Sequence, residues 1–198
     1  MAGGLGIPSK KADRCSETIV FIDESAFRLI PTFHRTWAPK DETPFIETES
    51  STDPVAVISA LTYTPETGDC ELYFRSQQDH FDGDSIFAFL RDVAEFLPRD
   101  VMFILDNLPA HFPAVAQLRD EFAETATSVA VEWFPTYAPE LNPTEFVWRE
   151  AKYVELANYA PKDLDILQRR VGRSLTPKHD HQSFLRSCFD FAELDLMT

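Results

Sequence analysis

Two apolar runs in this chain each close on an aspartate, and no other feature constrains the fold as strongly. Ile19-Val-Phe-Ile-Asp23 and Val101-Met-Phe-Ile-Leu-Asp106 have the β-branched and aromatic make-up of buried strands. A carboxylate adjoining such a run is costly to bury unless it is paired or bound to a cation. A third acid, Glu145, opens a helical segment reached from the strand-like run Val129 to Phe134 through a proline-stiffened loop. Three acids at the ends of packed elements imply a divalent-metal site suited to phosphoryl chemistry, provided the fold brings them together.

The order of the remaining elements says how that happens. Thr18 to Ser25 reads as the first strand, and Phe33 to Ser51, with Pro39, Pro44 and many charges, reads as loops. Val55 to Thr64 and Cys70 to Arg75 flank the turn Pro65-Glu-Thr-Gly68 and predict a hairpin. Asp84 to Leu97 carries a broad apolar stripe at helical spacing and stops at Pro98. A strand at 101–106, a helix from about Pro109 to Ala123, and a strand at Val129 to Phe134 follow. Next comes a helix opening at Asn142 and running to about Asn158, then helical segments at Asp163 to Leu175 and Ser183 to Phe189.

Three antiparallel strands followed by strand-helix-strand units describe an α/β fold: a mixed five-stranded sheet flanked by helices, with a helical C-terminal part. That is the ribonuclease-H-like order. It predicts Asp23 beside Asp106, with Glu145 arriving from the helix after the fifth strand. Residues 1–17 read as a loose leader and residues 18–198 as one domain, since 44% apolar residues and 17 Phe suffice for one substantial core.

Composition narrows the partners. No run of about eighteen apolar residues and no secretory signal is present, so the expectation is a cytoplasmic protein with no membrane partner. Cys15, Cys70 and Cys188 are widely spaced and read as reduced thiols. The 18 basic against 33 acidic residues give a net charge of −15, which opposes binding a polyanion over a broad surface, so any nucleic-acid contact must be local. Six Lys against 12 Arg, with acids spread throughout, suit either a protein kept soluble in strong salt or an ordinary acidic cytoplasmic one.

Each acid also has a plainer use. Asp106 with Asn107 can end a strand and start a helix, and Glu145 can close a capping box with Asn142, three residues earlier. Glu24 points to the opposite face from Asp23 if the strand continues, which favours exposure or pairing over ligation. Trp148 reads as core, and His179 and His181 as a polar loop. Arg149 and Lys152 lie four and seven residues after Glu145 on its helix face. They are either a helical ion pair and an exposed lysine or phosphate contacts.

Four blocks carry a specific resemblance: Phe21-Ile-Asp-Glu-Ser-Ala-Phe-Arg-Leu29, Arg35-Thr-Trp-Ala-Pro39, Leu105-Asp-Asn-Leu-Pro-Ala-His111, and Phe134-Pro-Thr-Tyr-Ala-Pro-Glu-Leu-Asn-Pro-Thr-Glu-Phe-Val-Trp148 with Lys152 beyond it. Over roughly residues 18 to 195 the chain resembles the catalytic domain of DDE transposases of the insertion sequence 630 family, related to mariner elements. The resemblance implies Asp23, Asp106 and Glu145 as the catalytic metal ligands for two Mg²⁺ or Mn²⁺ ions, Asp23 bridging both. His111 matches the family's Asp-Asn-x-x-x-His pattern and is read either as a residue near DNA or the site or as one that packs the helix turn. Two features depart from the family: Lys40-Asp41 stand where a basic residue and Gly are usual, and 38 residues separate Asp106 from Glu145, a few more than usual.

The implied activity is metal-dependent cleavage at transposon ends followed by joining of the freed 3′-hydroxyl to target DNA. Such enzymes carry N-terminal helix-turn-helix modules, which residues 1–17 are too short to form. The expectation is therefore a catalytic half, with DNA as substrate, a helix-turn-helix partner or N-terminal region elsewhere, and a dimer when assembled on DNA. Two rivals remain: an idle remnant or protein-binding module, for which loss of an acid is expected, and a ribonuclease-H-like nuclease, which need not carry the Pro-Glu-Leu-Asn-Pro-Thr-Glu block.

Overall fold

The computed structural model describes residues 17–35, 37–40, 45–48, 53–98, 100–136 and 138–194. The proposed leader up to residue 16, Cys15, Thr36, Asp41 and Tyr137 lie outside them. Five strands form one sheet in the order β3-β2-β1-β4-β5. They are β1 (Thr18–Phe27), β2 (Val55–Thr64), β3 (Asp69–Gln77), β4 (Val101–Leu105) and β5 (Val129–Trp133). β1 pairs antiparallel with β2 and β2 antiparallel with β3, while β4 runs parallel to both β1 and β5, as the element order predicts. The β2–β3 hairpin turns through Gly68 at φ +71°, a conformation that glycine adopts without the Cβ clash other residues meet.

The sheet separates two cores. On one face α1 (Gly83–Phe96) and α2 (His111–Phe122) cover Val20, Ile22, Ile58 and Phe103. On the other, α3 (Thr144–Glu150), α4 (Leu164–Leu175) and α5 (Gln182–Phe191) cover Phe21, Val57, Leu61 and Phe134. β2 is buried on both faces along nearly its whole length, which explains why it reads as a continuous apolar run. α1 starts at a reciprocal cap: Ser85 N–H donates to Asp82 Oδ1 at 2.9 Å and Asp82 N–H donates to Ser85 Oγ at 2.8 Å. α4 starts where Ile166 N–H donates to Asp163 Oδ1 at 2.7 Å.

The helix expected from Asn142 to Asn158 is not continuous. A 3₁₀ turn at Pro139–Leu141 precedes α3, and α3 passes at Ala151–Glu155 into a π-helical turn that closes with Leu156 N–H donating to the Ala151 carbonyl at 2.9 Å. Asn158 ends the segment in the left-handed region, φ 59°, where its short polar side chain is tolerated. That side chain accepts from His34 N–H at 2.9 Å and donates to the His34 carbonyl at 3.0 Å, tying the stretch after β1 to the helix end. Glu155 is held by the buried Lys178, whose ammonium donates to Glu155 Oε1 at 2.5 Å and to the Ser174 carbonyl at 2.7 Å. This pair fastens the π turn to the end of α4 and the turn that follows it.

α2 begins at His111, two residues beyond the expected Pro109. An irregular stretch, 123–128, joins α2 to β5. Cys70 and Cys188 are buried free thiols, and burial pushes them up to about 11 and about 12. Among the described residues no helix is long and apolar enough to cross a membrane.

Leu61, fully buried on β2, is a direct probe of the core under α3 to α5. Leu61→Ala is expected to cost about 2–5 kcal/mol in urea unfolding followed by circular dichroism. A loss under about 1 kcal/mol contradicts this packing.

Candidate active site

Strand register brings the first two acids to one edge. In the parallel pair β1 and β4, Phe21 stands opposite Ile104, and two residues further along each chain are Asp23 and Asp106. On its other side Asp23 lies opposite Ser59 of β2, whose buried hydroxyl has no hydrogen-bond partner among the described residues. Alternation along β1 sends Asp23 to the α3 face and Glu24 to the α2 face.

On the α3 face the Trp148 indole N–H donates to Asp23 Oδ2 at 2.8 Å. Trp148 is thus core, as its sequence position suggests, and also a tether for the first acid. Asn142 Nδ2 donates to the Ile22 carbonyl at 3.4 Å, joining the loop before α3 to β1 one residue ahead of Asp23. The capping box open to Glu145 is not made. Asn142 Oδ1 accepts instead from Thr144 N–H at 3.2 Å and from the Thr144 hydroxyl, and Asn142 N–H donates to the Pro139 carbonyl at 2.9 Å. The Glu145 carboxylate takes no part in that cap.

On the α2 face Asp106 does serve its plainer purpose, since Leu108 N–H donates to its Oδ1 at 3.2 Å. The same oxygen lies 2.8 Å from His111 Nδ1, and His111 Nε2 lies 2.9 Å from Glu24 Oε1. His111 is fully buried, so it acts through these carboxylates and not as a surface contact. Burial alone would lower its pKa, but the hydrogen bonds to Asp106 and Glu24 and their charge outweigh it and push it up to about 10. The ring is an imidazolium donating at both nitrogens.

The electrostatics link these residues. Burial pushes Asp23 up to about 8, helped by the negative charges of Glu145, Glu24 and Asp106 and opposed by the Trp148 hydrogen bond. Burial also raises Glu145, against the pull of Lys152. Lys152 is lowered by burial while Glu145 and Asp23 hold it up, and its ammonium sits 5.3 Å from the Phe27 ring centre. The π turn therefore leaves Lys152 on the face of Glu145. Arg149 instead is exposed, its guanidinium 5.3 Å from the Phe191 ring centre and without an ion pair to Glu145.

These three acids are hard oxygen donors with capacity to spare: Asp23 and Asp106 each use one oxygen in hydrogen bonds, and Glu145 uses none. Their mutual repulsion, visible at Asp23, is what a divalent cation relieves, so the donor set fits Mg²⁺ or Mn²⁺. They are not drawn into a tight cage, since no group of three His, Cys, Asp or Glu among the described residues is spaced to grip a metal. His179 and His181 are structural: His179 Nδ1 lies 3.0 Å from the Leu72 carbonyl and His181 stacks on Phe184.

The family model described as DDE superfamily endonuclease matches residues 18–168. The chain belongs to this family of endonucleases. No curated protein matches the sequence. Among solved structures, a pre-cleavage Mos1 transpososome superposes with a TM-score of 0.63 at 14% identity, covering 93% of this chain and 55% of that one. A Mos1 transposase paired-end complex with left transposon end gives 0.61 at 15% identity, with coverages of 93% and 55%. A Mos1 mariner paired-end complex with Mn gives 0.57 at 14% identity, with coverages of 88% and 53%. At this identity the likeness establishes the fold, the ribonuclease-H-like sheet with flanking helices. This DDE endonuclease chain spans about half the length of those proteins.

The raised Asp23 has a consequence for stability without metal. Between the ordinary carboxylate range and about pH 8 the folded protein keeps a proton that the unfolded chain has released, so stability falls as pH rises through that window. In the presence of a chelator, Asp23→Asn should flatten this slope and melt above the parent at pH 8. An equally steep slope in the variant, read by thermal unfolding from pH 4 to 9, contradicts the assignment of the shift to Asp23.

Proposed function

We propose that this chain is the catalytic domain of a DDE transposase, in which Asp23, Asp106 and Glu145 hold two Mg²⁺ or Mn²⁺ ions for cleavage at transposon ends and transfer of the 3′ end to target DNA. The observation that supports this reading is the β1–β4 register, which pairs Phe21 with Ile104 two residues before Asp23 and Asp106, together with Glu145 as the largest of the charges acting on Asp23. The family match over residues 18–168 supports it. So does the likeness to Mos1 complexes that hold transposon ends, Mn or Mg.

When bound, the ions would activate the attacking oxygen and stabilise the leaving one on a phosphodiester that otherwise repels a nucleophile. The residues of the chain do the rest. Trp148 orients Asp23, His111 orients Asp106, and Glu145, free of the helix cap, supplies the third carboxylate. Lys152, beside Glu145 and Asp23, is placed to meet a DNA phosphate next to the reacting one, and Arg149, on the exposed surface, to meet one further along.

Sequence recognition is assigned to a helix-turn-helix partner or N-terminal region. A net charge of −15 gives this domain little general affinity for duplex DNA, so the partner supplies base contacts and most phosphate contacts. The assembled unit on DNA is a dimer, acting in the cytoplasm where the element resides.

The test is nicking of transposon-end DNA in Mg²⁺ by the chain joined to its DNA-binding module. Asp106→Asn, which removes one charged ligand while keeping the shape, should lower the rate by orders of magnitude. Lys152→Met should weaken substrate binding with a smaller effect on the single-turnover rate. Undiminished nicking by Asp106→Asn contradicts the mechanism.

A further inference from the structure

Glu24 adjoins Asp23 in sequence yet does not share its surroundings. It leaves β1 on the opposite face, its side chain only 18% exposed, and its Oε1 accepts from His111 Nε2 at 2.9 Å. His111 is the first residue of α2 and is fully buried, so its ring can neither turn toward solvent nor reach a substrate. Its other nitrogen meets both the carboxylate Oδ1 of Asp106, at 2.8 Å, and the Asp106 backbone carbonyl, at 3.0 Å.

Asp106 stands just past the end of β4, where the ladder no longer fixes the chain, and its side chain is 45% exposed. A half-exposed aspartate on a strand-to-helix turn has several rotamers open to it. The chain Glu24, His111, Asp106 selects one. It clamps backbone and carboxylate of the same residue to one buried ring, and the ring in turn is fixed from β1, the strand that carries Asp23. The contact leaves Oδ2 of Asp106 uncommitted.

We propose that Glu24 and His111 are positioning residues that hold the Asp106 carboxylate in place for a divalent cation, tying its orientation to the strand that bears Asp23. This rests on the metal-site reading given above. Glu24 acts through His111 and does not itself ligate the metal, because its carboxylate lies on the far face of β1 and is engaged with the ring. Outer hydrogen-bond partners of metal ligands commonly govern affinity by ten- to a hundredfold, and this pair has the geometry of such a partner.

The experiment is Mn²⁺ binding to the purified chain by calorimetry, with free Mn²⁺ checked by its paramagnetic resonance signal. Glu24→Ala, which leaves His111 without its outer acceptor, should weaken Mn²⁺ binding about tenfold. Glu24→Gln, whose amide oxygen accepts the same hydrogen bond, should restore most of that loss. In an Asp106→Asn background Glu24→Ala should have little further effect, because its route to the metal is already broken. Thermal unfolding of the variants serves as the control for folding, and Glu24→Gln keeps the test open if the alanine variant proves unstable.

Full Mn²⁺ affinity in Glu24→Ala overturns the inference. So does an equal loss with and without Asp106, which would make Glu24 an independent ligand. A parent chain that binds no Mn²⁺ fails at an earlier point, overturning the metal-site reading and this inference with it.

Discussion

Repulsion among carboxylates at one end of the sheet is the constraint to which the rest of this structure responds. Asp23 lies within electrostatic reach of Glu145, Glu24 and Asp106, and burial, aided by those charges and opposed by the Trp148 hydrogen bond, pushes it up to about 8. Every neighbouring element contributes a means of offsetting it. α3 brings an indole N–H to Asp23, α2 brings an imidazolium between Glu24 and Asp106, and the π turn brings the Lys152 ammonium against Glu145 and Asp23. None of these neutralises the cluster fully, since Asp23 stays raised beside all of them.

The scaffold makes this arrangement repeatable because each acid hangs from an element that is itself fixed. β1 is paired on both sides, so Asp23 inherits the register of three strands. α3 is held at its start by the Asn142 link to β1 and beyond its end by the buried Lys178–Glu155 pair and the Asn158 tie to His34. A π turn stores a less favourable hydrogen-bond pattern than an α-helix, and such turns are kept mainly where they serve a site. Here it lies directly beneath the proposed phosphate-contacting lysine.

Most of the frame was legible in the sequence for simple reasons. Strand positions followed from β-branched runs such as Val55 to Thr64, and the start of α4 from Asp163, because caps and apolar periodicity are local signals. The parallel adjacency of β1 and β4, whose ends carry Asp23 and Asp106, was legible because neighbours and direction follow from the order of the elements. What the sequence hid was long-range. Trp148 read as core because nothing local reveals that its ring edge meets a carboxylate 125 positions away. The break of the 142–158 helix into 3₁₀, α and π turns depends on partners in α4 and in the stretch after β1, which no local pattern encodes. The Glu24–His111 contact spans 87 positions, and only strand alternation hinted that Glu24 needed a partner on the far face. Glu145 read as either cap or ligand, and the capping box depended on a side-chain choice by Asn142, which bonds Thr144 instead.

The central claim is that Asp23, Asp106 and Glu145 together hold divalent metal. Anomalous diffraction at the manganese edge from crystals grown with Mn²⁺ tests it most directly, because it locates the ion without reference to activity. The account predicts anomalous density between Asp23 and Asp106, with a second peak toward Glu145 when DNA is bound. Density elsewhere on the surface, or none at these carboxylates at saturating Mn²⁺, would contradict it.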